Sequence, residues 1–345
     1  MKKGRIVAID SIDGRKAAAL LQDGKLHDLL IDPAHDRPRP SAIYRAKATR
    51  AMKGQNGIIL DLGRGQKGFL KQARGIAPGA TLTVQVSTHA EIGKAAPVVN
   101  KLLFKSRYAI VTPNAPGINI ARSIHDEDAR LRLHEIAHDA FTDAPENCGL
   151  ILRSACITAD EGDIYANIAA MLQGANAVLN DSAGVPELLL DAPDAAEVAW
   201  ANWGEIDQVI SDDGCFDSLG VWDFIHALEY PECPLSGGAS MVIEATRALI
   251  AVDVNTGSDF SLSAGLKANI ATAKDLPRQL RLRGLGGQIV VDFAPSPKAE
   301  RRSIETQLRR AFKADSIDTI LVGWTALGHY ELQRKRERLP LSEML

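Results

Sequence analysis

The chain has 345 residues, 46% apolar and 24% charged, a balance that argues against disorder and allows two or more cores. Its formal net charge of −3 is segregated: Lys and Arg against Asp and Glu number 21 and 8 in residues 1–122, 3 and 23 in 123–233, and 16 and 12 in 234–345, giving +13, −20 and +4. Phosphate neutralisation draws a polyanion to the first and last segments and away from the middle one. No run approaches the roughly 18 to 20 apolar residues of a membrane span, and Met1-Lys2-Lys3-Gly4-Arg5 lacks the apolar core of a secretion signal. A cytoplasmic protein without a membrane partner is expected. Cys148, Cys156, Cys215 and Cys233 form no CxxC pair and read as buried, reduced thiols.

In chain order, residues 5–32 predict three short strands with turns at Asp13-Gly14 and Asp23-Gly24. Pro33, Pro38 and Pro40 then interrupt. Alternating runs at 43–49, 57–62, 81–86 and 108–112 predict a small closed barrel of the OB type, which commonly binds single-stranded nucleic acid through basic and aromatic side chains. Lys47, Arg50, Lys53, Arg64, Lys67 and Lys71 supply charge, and Tyr44 and Phe69 are stacking candidates unless they belong to the core. Residues 123–183 read as helical around a strand at 150–153, and 184–233 as mixed and acidic. The last segment predicts a hairpin through 239–245 and 248–254, a helix over 264–283, a strand at 288–293, a helix over 298–312 and a strand at 317–323. That alternation implies an α/β layer in which helices cover a mixed sheet.

Two motifs mislead. His134-Glu135-Ile136-Ala137-His138 matches the HExxH of zinc peptidases, but no third ligand follows at a convincing spacing. Arg130, Arg132 and Asp139 suit an exposed amphipathic helix. Gly63-Arg64-Gly65-Gln66-Lys67-Gly68 fits GxGxxG, yet Arg74-Gly75 and Pro78-Gly79 stand where a crossover helix should run, so a basic turn of the barrel is the better reading.

Two otherwise apolar runs each carry one carboxylate near the end: Leu249-Ile250-Ala251-Val252-Asp253-Val254-Asn255 and Gln288-Ile289-Val290-Val291-Asp292-Phe293. An ionised carboxylate buried in such a strand is costly without a cation or donors, so two in one layer suggest a shared metal. Hard oxygen ligands with no nearby Cys or His point to Mg²⁺, which can polarise a phosphodiester and activate water. The alternative is that each Asp caps the turn or helix that follows. Between them, Arg281 and Arg283 suit the end of a helix and also lie where a scissile backbone needs neutralising.

At these residues the sequence resembles the ribonuclease E/G family. Residues 251–256 (AVDVNT) resemble its first metal-aspartate strand, 278–287 (RQLRLRGLGG) its RQLRLRDLGG run, and 290–293 (VVDF) its second aspartate strand. Weaker similarity extends to 17–32, the opening hairpin; 41–50 and 67–70, the RNA-binding barrel; 149–154, the 5′-phosphate sensor; and 330–339, the last helix of the catalytic domain. The resemblance implies an α/β (α+β composite) chain. A ribonuclease H-like scaffold takes 1–36 and 184–233, an inserted OB-type barrel 37–108, a 5′-sensor subdomain 109–183, and a deoxyribonuclease I-like catalytic layer 234–345.

It further implies Asp253 and Asp292 as magnesium ligands, Asn255 orienting Asp253, Phe69 and Lys94 pinning the strand, and Arg153 and Ser154 gripping a 5′-monophosphate. The activity implied is cleavage of single-stranded RNA to 5′-phosphate and 3′-hydroxyl ends. Departures are visible: no arginine follows Asn255 in Thr256-Gly257-Ser258-Asp259-Phe260, Asp318 stands near a usual arginine, Ile59 replaces an aromatic, and Pro277 should kink its helix. No CPxC follows, so a homodimer would lack the family's zinc link, and the chain stops at Leu345 without a degradosome scaffold tail. The missing arginines motivate an alternative, an RNA-binding protein of the same fold with little or no cleavage.

Overall fold

The computed structural model describes residues 4–33, 37–91, 93–142, 144–181 and 183–345. The chain is a mixed α/β protein in two units, Met1–Asp32 with Ile206–Leu345, and Pro33–Glu205. Strands β1 (Arg5–Ile12), β2 (Arg15–Gln22) and β3 (Lys25–Ile31) form two consecutive hairpins. Both turns are Asp-Gly with positive φ at each residue, 50° and 73° at Asp13 and Gly14, 49° and 77° at Asp23 and Gly24, a twist that matches paired strands.

In the second unit, β4 (Ile43–Met52), β5 (Gly57–Gly63), β6 (Gln66–Lys71), β7 (Thr81–Val86) and β8 (Ala96–Val99) close a five-stranded barrel. The order is β4-β5-β6-β8-β7, with β7 returning to β4 and β6 parallel to β8. Ala46, Ile58, Leu60, Leu62, Leu70, Val84 and Val98 fill it. The run at 108–112 lies elsewhere, because Ala96–Val99 closes the barrel. It falls in a sheet of β9 (Phe104–Lys105), β10 (Ala109–Pro113), β11 (Gly117–Ile120) and β12 (Cys148–Leu152). Helices α1 (Glu127–Ala140) and α2 (Glu161–Asn180) pack on that sheet through Leu133, Ile136, Ile164 and Ile168. Strand β13 (Glu187–Leu190) pairs with β4, and α3 (Ala195–Asn202) opens with an Asp194–Glu197 capping box. Residues up to Glu205 therefore join this unit, whereas the sequence alone grouped 184–233.

In the first unit, β14 (Gln208–Ile210) runs parallel to β1, and α4 (Cys215–Ser218) and α5 (Val221–Glu229) cover the hairpins with Phe216, Val221 and Ile225. A six-stranded sheet follows: β15 (Glu232–Pro234), β16 (Ser240–Ala245), β17 (Ile250–Asn255), β18 (Gly287–Asp292), β19 (Thr319–Trp324) and β20 (Tyr330–Arg334), in the order β15-β16-β17-β18-β20-β19. Helix α6 (Ala264–Leu282) connects β17 to its parallel neighbour β18, and α7 (Arg301–Ala314) packs beside it. Ala268, Leu276, Leu280, Ile304 and Leu308 cover one face of the sheet. Helix α6 continues through Pro277 as a single element. Residues 330–334 form a strand, not a helix: Tyr330, Leu332 and Arg334 point inward and alternate with exposed Glu331 and Gln333.

A chain of buried ions ties α6 to β3 and to the C-terminal segment. Asp28 pairs with Arg281 at 3.4 Å and Arg338 at 2.5 Å, while Asp315 pairs with Arg281 and, at 2.7 Å, with Arg334. Burial pushes the Asp28 carboxyl up, but the Arg338 and Arg281 charges outweigh it and hold it below its ordinary 3.8. Removing one member leaves an uncompensated buried charge, so Asp28→Asn should lower the unfolding free energy at pH 7 by about 3–5 kcal/mol in urea melts. A depressed carboxyl stabilises fully above its unfolded pKa and loses that stabilisation as pH falls through the folded value. The gap between wild type and Asp28→Asn should accordingly narrow in that acid window; a gap that stays constant there would refute the ion-pair account.

Candidate active site

The period of two along β17 sends Ile250, Val252 and Val254 into the helix-covered core and Asp253 and Asn255 to the open face. β18 repeats the pattern, with Ile289 and Val291 inward and Asp292 outward. The parallel register sets Asp253 directly opposite Asp292. The two carboxylates thus stand on one face of strands about 4.8 Å apart. They lie at the carboxyl ends of a parallel pair, the edge at which open α/β sheets bind ligands. Both are exposed, which corrects the expectation that a burial cost demands a cation. Like charge is the remaining cause: carboxylates side by side on neighbouring strands repel, and a cation between them relieves that.

Asn255 Nδ2 donates to Asp253 Oδ2 at 2.9 Å. His329 Nε2 stands 3.7 Å from Asp292 Oδ1. Arg301 lies 4.5 Å over the Trp324 ring and also approaches Gly328, the neighbour of His329. On the same open face, Glu331 lies opposite Val290 and Glu244 opposite Ala251. Asn269, fully buried on α6, donates to the Ala294 carbonyl and accepts from the Ala294 amide, each at 2.9 Å, and so fixes the exit of β18 two residues past Asp292. Gly265, in the first turn of α6, packs against the Pro295 carbonyl with no room for a side chain. Sequence reasoning missed His329 and Arg301, which are distant from both aspartates in the chain. A polar residue on the apolar face of α6 was the available signal for Asn269.

Among the described residues no group of three or more His, Cys, Asp and Glu is arranged to hold a metal. Two carboxylates fit Mg²⁺, which takes one or two from protein and completes its shell with water and phosphate oxygens. They do not fit a structural zinc, which takes four ligands. His134 and His138 stack on α1 with centroids 6.1 Å apart, but no third ligand joins them.

The remaining candidates divide. Lys47 is exposed opposite Asp61, Phe69 is half-exposed with its ring over Gly57, and Lys94 is exposed and paired with Glu91 at 2.5 Å. Tyr44 is corrected to a core residue of the barrel, where burial pushes its phenol up. Arg281 and Arg283 are likewise buried: Arg281 joins the ion chain and donates to the His27 carbonyl at 2.8 Å, and Arg283 donates to Gln279 and to the Tyr230 carbonyl. A phosphate cannot reach either without displacing protein partners. Arg153 donates to the Ser106 carbonyl, to the Ala201 carbonyl at 3.2 Å and to Asn202 Oδ1 at 2.8 Å. Arg107 beside it bonds the Trp200 and Gly204 carbonyls. The two guanidiniums close off the C-terminal end of α3, a favourable place for cations. Ser154 is exposed but adjoins an arginine whose donors face protein oxygens.

A family model described as the Ribonuclease E/G family matches residues 104–214 and 204–337. The chain is 26% identical to ribonuclease E of Escherichia coli over 387 aligned residues and to that of Haemophilus influenzae over 386, covering 94% of this chain in each case but 36% and 41% of the relative. It is 25% identical to ribonuclease G of Escherichia coli over 392 residues, covering 95% of this chain and 79% of that relative. The chain therefore spans well under half the length of the ribonuclease E relatives. With the two matched segments together covering more than half of its residues, the chain belongs to the ribonuclease E/G family.

Proposed function

We propose that the chain is a magnesium-dependent endoribonuclease acting on single-stranded RNA, in processing or decay, and leaving 5′-phosphate and 3′-hydroxyl ends. One observation carries this: Asp253 and Asp292 stand in register on the open face of a parallel strand pair, with Asn255 bonded to the first. The ribonuclease names of the relatives supply the substrate class. When bound, Mg²⁺ supplies Lewis acidity toward the phosphodiester and lowers the pKa of water. Asp253 and Asp292 hold it, and Asn255 fixes the rotation of the Asp253 carboxylate by occupying one oxygen. His329 brings a donor to the Asp292 side for an incoming phosphate, and Arg301 brings positive charge to the turn at Gly328 that precedes it.

The finer architecture follows the same reading. The order β14-β1-β2-β3, with β14 parallel to β1, supports a ribonuclease H-like scaffold, and the barrel order supports an OB type. The sheet carrying the aspartates is the deoxyribonuclease I-like layer, and β9 to β12 with α1 and α2 form the 5′-sensor-like module. Lys47, Phe69 and Lys94 are the barrel's RNA contacts, combining charge with a stacking ring. No helix among the described residues is long and apolar enough to cross a membrane, and we place the activity in the cytoplasm. The second reading, an RNA-binding protein without cleavage, is favoured by the absence of Lys and Arg from residues 256–263.

A labelled single-stranded oligoribonucleotide should be cut with Mg²⁺ and left intact with EDTA. Asp253→Asn and Asp292→Asn should abolish cutting, and Asn255→Ala should lower its rate by about 10–100-fold. Tight binding without cutting selects the second reading. Because protein oxygens take the donors of Arg153, 5′-monophosphate and 5′-hydroxyl substrates should be cut at equal rates. A preference for the monophosphate that Arg153→Ala removes would restore end sensing.

A further inference from the structure

Residues 256–263 leave β17 immediately after Asn255 and enter α6 at Ala264, whose next residue, Gly265, touches the Pro295 carbonyl just beyond Asp292. This loop therefore starts at the exit of one carboxylate-bearing strand and ends on a helix turn that touches the exit of the other. It is tied down on both sides of its tip. Gly257, at φ 61°, packs against the Gly238 carbonyl, where no Cβ fits. Asp259 accepts from the Ser261 amide at 2.8 Å and from Lys267 Nζ at 3.3 Å, and the Ala264 amide donates to the Ser261 carbonyl at 3.0 Å. On this braced turn Phe260 is 94% exposed, the most exposed aromatic ring among the described residues, and Leu262 beside it is fully exposed. A large ring held in water by a fixed backbone gains nothing for the fold, since its apolar surface stays wet.

The chemistry of the loop narrows what covers that ring. It carries no Lys or Arg, and Lys267, the nearest cation on α6, is bonded to Asp259. A backbone phosphate thus finds no free cation on the loop. Every nucleobase, by contrast, has a π face that an aromatic ring can meet without charge, and only an unpaired base has that face free. We infer that the Phe260 ring is a stacking platform for an unpaired nucleobase next to the scissile phosphate, an inference that rests on the nuclease reading above. It makes the carboxylate site itself selective for single strands, independently of the barrel.

The test uses the full chain and unstructured oligoribonucleotides with 2-aminopurine at successive positions. It follows fluorescence quenching on rapid mixing with Mg²⁺ present, and then KM and kcat for cleavage. Phe260→Ala should raise KM by about 10- to 100-fold and relieve quenching at one position, with a smaller change in kcat. Phe260→Trp should restore both, and Phe260→Leu neither. A Phe260→Ala protein with wild-type KM and quenching, or full rescue by leucine, overturns the platform while leaving the nuclease reading intact. Quenching that depends on Phe260 in a wild-type protein that cuts nothing supports the platform and rejects the nuclease reading.

Discussion

The parallel pairing of β17 and β18, with α6 carrying the chain from one to the other, is the constraint on which the site depends. An antiparallel neighbour would set the end of one strand against the start of the next. A parallel pair in register brings two strand-end carboxylates to one edge. The register is fixed from both faces of the sheet. Slipping β18 by one residue would turn Asp292 under the helices and Ile289 and Val291 into water, exchanging a wet carboxylate for a buried one. The bidentate bond of Asn269 to Ala294 and the fit of Gly265 against Pro295 then hold the exit of β18 to α6, the helix into which β17 leads. Position is thus set by apolar packing, and chemistry by what the same alternation leaves outside.

The arginines near the site serve mainly that positioning. Arg281 lies between Asp28 and Asp315 and so locks the C-terminal half of α6 to β3 on one side and to the segment before β19 on the other. Arg334 and Arg338 extend the lock from the C-terminal region. In a buried network each charge compensates its neighbours, and the network's worth lies in fixing a single arrangement more than in net stability. An RQLRLR run looks like a phosphate contact in sequence because composition reports charge and not the direction of a side chain. Half a helical turn separates a residue that meets solvent from one that meets Asp28.

What was legible in the sequence followed from local pattern. Asp-Gly turns between alternating runs marked the opening hairpins, and one carboxylate near the end of each of two otherwise apolar runs marked Asp253 and Asp292 as a pair. What was not legible depended on contacts between distant segments. The apolar run around Asp253 reads as a strand buried on both faces, whereas only the face of Ile250, Val252 and Val254 is covered. Tyr44 looked like a stacking ring until barrel closure by Ala96–Val99 placed its face of β4 inward. Arg153 looked open because α3, which supplies its acceptors, follows it by some forty residues. His329 reaches Asp292 only through the β20 pairing, and residues 330–334 carried no sign of being a strand beyond the alternation of Tyr330, Leu332 and Arg334.

Electrostatics at the open face decide how the proposed reaction has to be organised. Asp253, Asp292, Glu244 and Glu331 all project from this side, and His329 stands beside Asp292. A phosphodiester approaching four carboxylates is repelled, and neighbouring cations that are few or engaged cannot reverse that sign. A divalent cation on the aspartates would reverse it locally, so under the proposed function the ion would be as much a condition for RNA to approach as a reagent for cutting it. On the loop after β17, which carries no Lys or Arg, further affinity for RNA would come from interactions that carry no charge. The exposed Phe260 ring on a cation-free loop is the group placed to supply it under the proposed stacking role.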